Sequence, residues 1–159
     1  MTDPSETERI ELLRRLNRNF AEVVPHNKEL GIRILELGSA EATMELPYDE
    51  RLVGNPETGV LHGGAISALL DATCGAAVFM ALRAPTPIAT LDLRIDYLGP
   101  ATPKLPVRAH GSCFKVTRNV AFVRCDAFHD TPSDLIATAT GTFMLGTRLK
   151  GASRPKGAG

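Results

Sequence analysis

One histidine, two glycines and one aspartate are spaced in this chain so that they could act together on a carbonyl group. In the segment 59–71, Gly-Val-Leu-His-Gly-Gly-Ala-Ile-Ser-Ala-Leu-Leu-Asp, His62, Gly63 and Gly64 open a long apolar stretch. Asp71 follows nine residues after His62. A helix start presents backbone N–H groups that lack intrahelical partners, together with the positive end of the helix dipole. Both suit an oxygen that is gaining negative charge. Glycine at that point lets a carbonyl approach the backbone closely. An aspartate inside an apolar helix is costly to bury unless it has a task or a partner. The chemistry on offer is polarisation of a carbonyl, with a carboxylate that either activates water or attacks directly. Each residue also has a plainer reading. Asp71 would fix packing against a strand, the glycines would permit close helix–sheet contact, and His62 would cap the turn as a neutral imidazole.

The elements that must position these residues follow from hydrophobic period. Residues 7–24 place Ile10, Leu13, Leu16 and Phe20 at helical spacing, with Arg9, Glu11, Arg14 and Arg15 between them, which predicts an amphipathic helix ending near Pro25. Apolar residues alternate over 31–37 and 40–46, with Gly38-Ser39 as a hairpin turn between them. Residues 47–59 read as loop. A long helix is expected over 62–82, stopped by Pro85 and Pro87. Four strands follow, near 88–98, 105–116, 120–129 and 135–145. In the first, Leu91, Leu93, Ile95 and Tyr97 fall on one face and Thr90, Asp92, Arg94 and Asp96 on the other. Short turns between the last strands imply antiparallel pairing, and a helix apolar on nearly every side must be covered all round. The fold class expected is α+β, a strongly curved antiparallel sheet wrapped around one long central helix.

Composition narrows the partners. The 159 residues suffice for one domain with a sizeable core, and 43% hydrophobic with 23% charged residues is ordinary for a globular protein. A formal net charge of zero gives no field favouring nucleic acid or an anionic membrane. Cys74, Cys113 and Cys125 are odd in number and lack CxxC spacing, so they read as reduced thiols in a cytoplasmic protein. Cys74 lies in an Ala-rich stretch with nothing to activate it as a nucleophile. Residues 1–8 show no secretory pattern. The apolar run 65–82 approaches a membrane span in length, yet it is rich in Ala and Gly and contains Asp71, so a core helix is expected. Residues 147–159 carry Arg148, Lys150, Arg154 and Lys156 with no acids and read as a flexible basic tail. The division expected is an N-terminal helix over 1–26, a main domain over 27–146 and that tail. No metal cluster, dinucleotide fingerprint or phosphate loop is visible in the sequence.

The His-Gly-Gly opening with Asp71, followed by Ala-Thr-Leu-Asp-Leu-Arg-Ile-Asp-Tyr-Leu-Gly-Pro-Ala over 89–101, resembles the hotdog-fold acyl-CoA thioesterases, most closely their PaaI-like (phenylacetic acid degradation) branch. The resemblance covers about 27–146. It implies hydrolysis of an acyl-CoA to a free acid and CoA, with CoA as part of the substrate and no separate cofactor. It puts the catalytic carboxylate at Asp71 and favours Gly63 over Gly64 as donor to the thioester oxygen. His62 is implied to orient the loop or touch the carbonyl. Thr90 matches a hydroxyl position near the attacking water; the plainer alternative is a β-branched residue suited to a strand. Asn55 is the counterpart of a loop asparagine that lies six residues before the histidine in close relatives; here it lies seven before His62, and it reads equally as a turn residue ahead of Pro56. The CoA phosphates direct attention to basic residues near turns, first Arg118 with Asn119, then Arg94, Lys104 and Arg108. Family members pair edge to edge with sites shared between subunits, so a homodimer, or a dimer of dimers, is implied. Nine residues of helix separate His62 from Asp71 by ~13 Å, too far for one bond-breaking centre within a chain. Two other readings stand beside hydrolysis: a hotdog module that binds acyl-CoA without turning it over, and a hydratase or dehydratase on the same fold.

Overall fold

The computed structural model describes residues 11, 14, 15, 17–20, 23–82 and 84–146. Helix α1 spans Pro25–Glu29, β1 Arg33–Leu37 and β2 Glu41–Leu46. A 3-10 turn at Glu50–Leu52 leads into β3 Val53–Asn55 and β4 Val60–Leu61. The long helix α2 is Gly63–Ala81, followed by β5 Ile88–Tyr97, β6 Val107–Val116, β7 Val120–Phe128 and β8 Leu135–Leu145. Six strands form one antiparallel sheet in the order β1-β2-β6-β7-β8-β5, and β3 with β4 makes a separate two-stranded ribbon. The α+β class and the single long central helix agree with expectation. The supposed loop over 47–59 instead holds the 3-10 turn and half of the ribbon. The ribbon closes because Val53 pairs with Leu61 and the Asn55 carbonyl accepts from Gly59 N at 2.8 Å.

Helix α2 is the core. Ala65, Ile66, Leu69, Leu70, Thr73, Cys74, Ala77 and Val78 are buried against the sheet, and Met44, Leu46, Val107 and Val123 meet them from the strands. Its length and apolarity would suffice to cross a membrane, but its buried face shows it to be the core helix of the domain. The cover is incomplete. Ser67, Asp71 and Gly75, at helical spacing, stay half-buried, and Phe79 at the end of the same stripe is 48% exposed. Leu82 adopts extended backbone (φ −88°, ψ 138°) and ends the helix before Pro85.

The described residues between 11 and 23 are helical, and Val24 breaks the run before Pro25 restarts it as the first residue of α1. Leu13 and Leu16 of the predicted apolar face, with Arg9, Ile10 and the basic tail, lie outside the described residues. Asn17 clasps the free edge of β1: its Nδ2 donates to Ile34 O at 2.9 Å and its Oδ1 accepts from Ile34 N at 2.6 Å. That satisfies backbone groups which an edge strand otherwise leaves open.

Strand β5 departs from strict alternation. Thr90 pairs with Phe143 and Asp92 with Thr142, so Leu91 is an extra residue with no partner on β8. This bulge reverses the side-chain phase. Leu93, Ile95 and Tyr97 keep the helix-facing side that the sequence predicts. Leu91 does not share it, being 51% exposed, whereas Thr90 does. The sequence-based assignment of Thr90 to the opposite face, and of Leu91 to the apolar one, is therefore corrected by one inserted residue.

On the outer side of the sheet Glu45 is 3% exposed. Arg33 Nε donates to its Oε1 at 2.9 Å and Arg108 Nε to its Oε2 at 3.1 Å. Burial pushes the Glu45 carboxyl upward, but the two guanidinium groups outweigh it, and the net pKa is lowered. A lowered folded-state pKa contributes stability above the unfolded value near 4.5 and loses it as pH falls through the folded value. Glu45→Gln is expected to lower unfolding free energy at pH 7 by ~1–3 kcal/mol. In urea melts the gap from wild type should shrink below about pH 4.5; a gap independent of pH would refute the assignment.

Candidate active site

The first turn of α2 forms one half of the site. His62 is the N-cap residue, with extended backbone (φ −63°, ψ 133°), and its Nδ1 accepts from Gly64 N at 2.9 Å. The His62 carbonyl accepts from Ala65 N at 3.0 Å. The Gly63 N–H makes no hydrogen bond among the described residues. Of the two candidate donors, the Gly64 N–H is therefore engaged by the imidazole and the Gly63 N–H is open. The space is tight at Gly64 and ordinary at Gly63. A Cβ on Gly64 would lie 2.9 Å from His62 Nδ1, and one on Gly63 would lie 3.4 Å from Tyr97 Oη.

The second half lies two turns further along. Thr90 Oγ1 donates to Asp71 Oδ1 at 2.8 Å, across the gap between β5 and α2. Asp71 Oδ2 accepts no hydrogen bond among the described residues. The Thr90 hydroxyl, with its O–H directed at the carboxylate, retains lone pairs that can accept from a water. The pair stands on the wall of a cavity of about 610 Å³ lined by apolar side chains, among them Phe20, Val24, Met44, Phe79, Ile88 and Phe143. Such a volume falls within the usual range for small-molecule sites.

The remaining predicted residues are distributed elsewhere. Asn55 is exposed at the end of β3, and its Oδ1 accepts from Glu57 N at 3.0 Å, which makes it the pivot of a side-chain turn. Arg118 and Asn119 form the turn between β6 and β7. The Asn119 carbonyl accepts from Leu145 N, and Leu145 pairs with Ile88, so this turn sits at the Thr90 end of β5. Arg94 lies on the face of β5 opposite Thr90 and pairs with Asp96 at 3.0 Å. Arg108 is occupied by Glu45. Within the chain, then, Asp71 meets Thr90 and His62 meets Gly64, while Asn55 and Arg94 join neither group.

One feature of the site escaped the sequence. Tyr97 Oη donates to the Gly63 carbonyl at 2.6 Å, and Ser67 Oγ, 2.9 Å from Tyr97 Oη and 3.1 Å from the Gly63 carbonyl, has one hydrogen to give to either. The signal was present in the Gly63–Ser67 spacing of one helical turn, but only the phase of β5 brings Tyr97 to it.

The family model of the thioesterase superfamily matches residues 58–136, which contain α2 and β5 to β7 entire. A Pseudomonas aeruginosa protein of known crystal structure is 42% identical, superposes with a TM-score of 0.74, and is matched over 84% of this chain and 98% of its own. The chain belongs to the thioesterase superfamily. Other relatives of this thioesterase have more specific names. It is 29% identical over 147 residues to the medium/long-chain acyl-CoA thioesterase YigI of Salmonella typhimurium, covering 84% of this chain and 94% of that one. It also resembles a point mutant of phenylacetic acid degradation protein PaaI from Thermus thermophilus, at 26% identity and a TM-score of 0.66, over 76% of this chain and 98% of the other. The hotdog fold and the PaaI-like character expected from the sequence are both upheld.

The cap can be tested apart from turnover. Replacing His62 with Ala in this thioesterase removes the acceptor for Gly64 N and should cost ~0.5–2 kcal/mol, whereas Asn, itself a good N-cap, should recover most of it. Equal thermal stability of the Ala and Asn variants would show that the imidazole does not cap the helix.

Proposed function

We propose that the enzyme hydrolyses acyl-CoA thioesters with aliphatic acyl chains. The observation that carries this reading is the Asp71–Thr90 pair on the wall of a mainly apolar cavity. A carboxylate with one oxygen held by a hydroxyl and the other open is arranged to take a proton from water, and the apolar walls suit an acyl tail. The name of YigI, a medium/long-chain acyl-CoA thioesterase, supports the same substrate class.

In this reading Asp71 removes a proton from a water that Thr90 helps to hold. The water oxygen attacks the thioester carbon, and the carbonyl oxygen gains negative charge at the Gly63 N–H and the positive end of α2. Collapse of that intermediate breaks the C–S bond, and the proton returns to the CoA thiolate. The products are the free acid and CoA. Arg118, at the β6–β7 turn, is the candidate contact for the CoA phosphates.

The donors at Gly63 and the base at Asp71 stand about 12 Å apart along one helix, so a complete site draws them from two chains. Three features support a second copy as the partner. The half-open stripe through Asp71 and Gly75 needs cover. Strand β5 is an outer strand of the sheet. Along it Leu91 and Tyr97 are 51% and 48% exposed, and Leu98 just past its end is 59% exposed. An unpaired edge with apolar side chains is commonly covered by another strand.

Thiol release from a series of straight-chain acyl-CoAs tests this directly. kcat/KM should rise by up to about fourfold per added methylene until the cavity fills. Asp71→Asn should lower kcat by ~100-fold or more. A folded Asp71→Asn protein that turns over like wild type would end the proposal.

A further inference from the structure

We infer that Tyr97, together with Ser67, is a positioning residue that locks the Gly63–Gly64 peptide and so holds the Gly63 N–H on the thioester oxygen. This rests on the role proposed for Gly63 above. The reason such a lock is needed lies in the sequence. Two consecutive glycines at a helix start have no side chains to restrict rotation about their backbone bonds, and the first turn has the fewest intrahelical hydrogen bonds to restrain them. A donor that must point at one oxygen would otherwise spend part of its time elsewhere.

The structure supplies the missing restraint at each end of the peptide. On the oxygen side, Tyr97 Oη donates to the Gly63 carbonyl at 2.6 Å, and Ser67 Oγ, 3.1 Å from that carbonyl and 2.9 Å from Tyr97 Oη, gives its single hydrogen to one or the other. On the nitrogen side, His62 Nδ1 accepts from Gly64 N at 2.9 Å. With its N–H and its carbonyl both tied, this peptide cannot turn without breaking hydrogen bonds at both ends. The preceding peptide is tied through the His62 carbonyl by Ala65 N at 3.0 Å, while its N–H, that of Gly63, makes no hydrogen bond among the described residues.

Tyr97 and Thr90 can serve the same helix together only because of the bulge at Leu91. Thr90 and Tyr97 are seven residues apart, an odd number, and in a regular strand they would face opposite sides. The inserted residue puts both toward α2, where Thr90 holds Asp71 and Tyr97 holds Gly63. One strand thus supports the base and the donor. Packing alone does not require the Tyr97 hydroxyl: the residue is 48% exposed, and a phenyl ring would fill the same space.

The test compares Tyr97→Phe, Ser67→Ala and Asp71→Asn with wild type on the best acyl-CoA of the series. Tyr97→Phe should lower kcat by about 10- to 100-fold, as expected for a misdirected donor. KM, and the affinity for a CoA thioether lacking the carbonyl, should stay within about twofold, because neither reports on the developing oxyanion. Ser67→Ala should lower kcat in the same direction by less, and it gives an independent reading should the tyrosine variant fail to fold. Wild-type kcat in both folded variants would overturn the inference. So would a loss confined to KM, which would make Tyr97 a substrate contact. If Asp71→Asn is inactive while the other two are unimpaired, only the lock is wrong; if Asp71→Asn is fully active, the hydrolytic reading fails and the lock with it.

Discussion

A helix that is apolar nearly all round cannot rest on a flat surface, and this constraint shapes the whole protein. Residues 63–81 contain one ionisable carboxylate, Asp71, and no basic side chain, so the stable arrangement is a sheet that bends around them. Strands β2, β5, β6, β7 and β8 all pack against α2. The ribbon β3–β4 and the turn before it deliver the chain to the helix start, with Leu52 O accepting from His62 N at 2.8 Å. The stripe left open is where Asp71 lies, which is how a carboxylate can exist on such a helix without being stranded in the core.

Much of this arrangement was legible in the residues because strong local signals agreed with the tertiary structure. The bounds of α2, the last four strands and the hairpin at Gly38 followed from period and punctuation. Asp71 stood out because its cost in an apolar helix needed an explanation. What could not be read has physical causes. Strict alternation assumes that each residue on β5 has a partner on β8, and the unpaired Leu91 breaks that assumption without any marker in its own type. Asn55 makes the local turn that was one of its two readings in the sequence. The cavity beside Asp71 depends on side chains from several separate segments, and no single stretch encodes its volume.

Electrostatic organisation follows the same inside–outside division. Glu45 alternates with the core residues Met44 and Leu46 along β2, so its carboxylate is directed outward, and the two arginine side chains cover it there. The charge is buried by its own partners rather than by the core, and the two guanidinium groups offset the desolvation cost that the carboxylate bears. The residues that meet α2 from the same strands remain free of ionised groups, and Asp71 is left as the carboxylate that the helix presents.

The cap at His62 fixes more than the start of a helix. A backbone N–H can only donate, so the imidazole nitrogen it meets must be unprotonated, and the ring hydrogen of the neutral tautomer resides on Nε2. The exposed side of the ring then offers a proton and has no lone pair with which to take one. At the other end of the stripe the situation is reversed: the Thr90 O–H is directed at Asp71, and what faces away from that bond is oxygen lone pairs. The helix therefore carries a pole of donors and a pole of acceptors. Two such helices set head to tail would present each pole with its complement, which is the polarity that splitting a water across a polarised carbonyl demands.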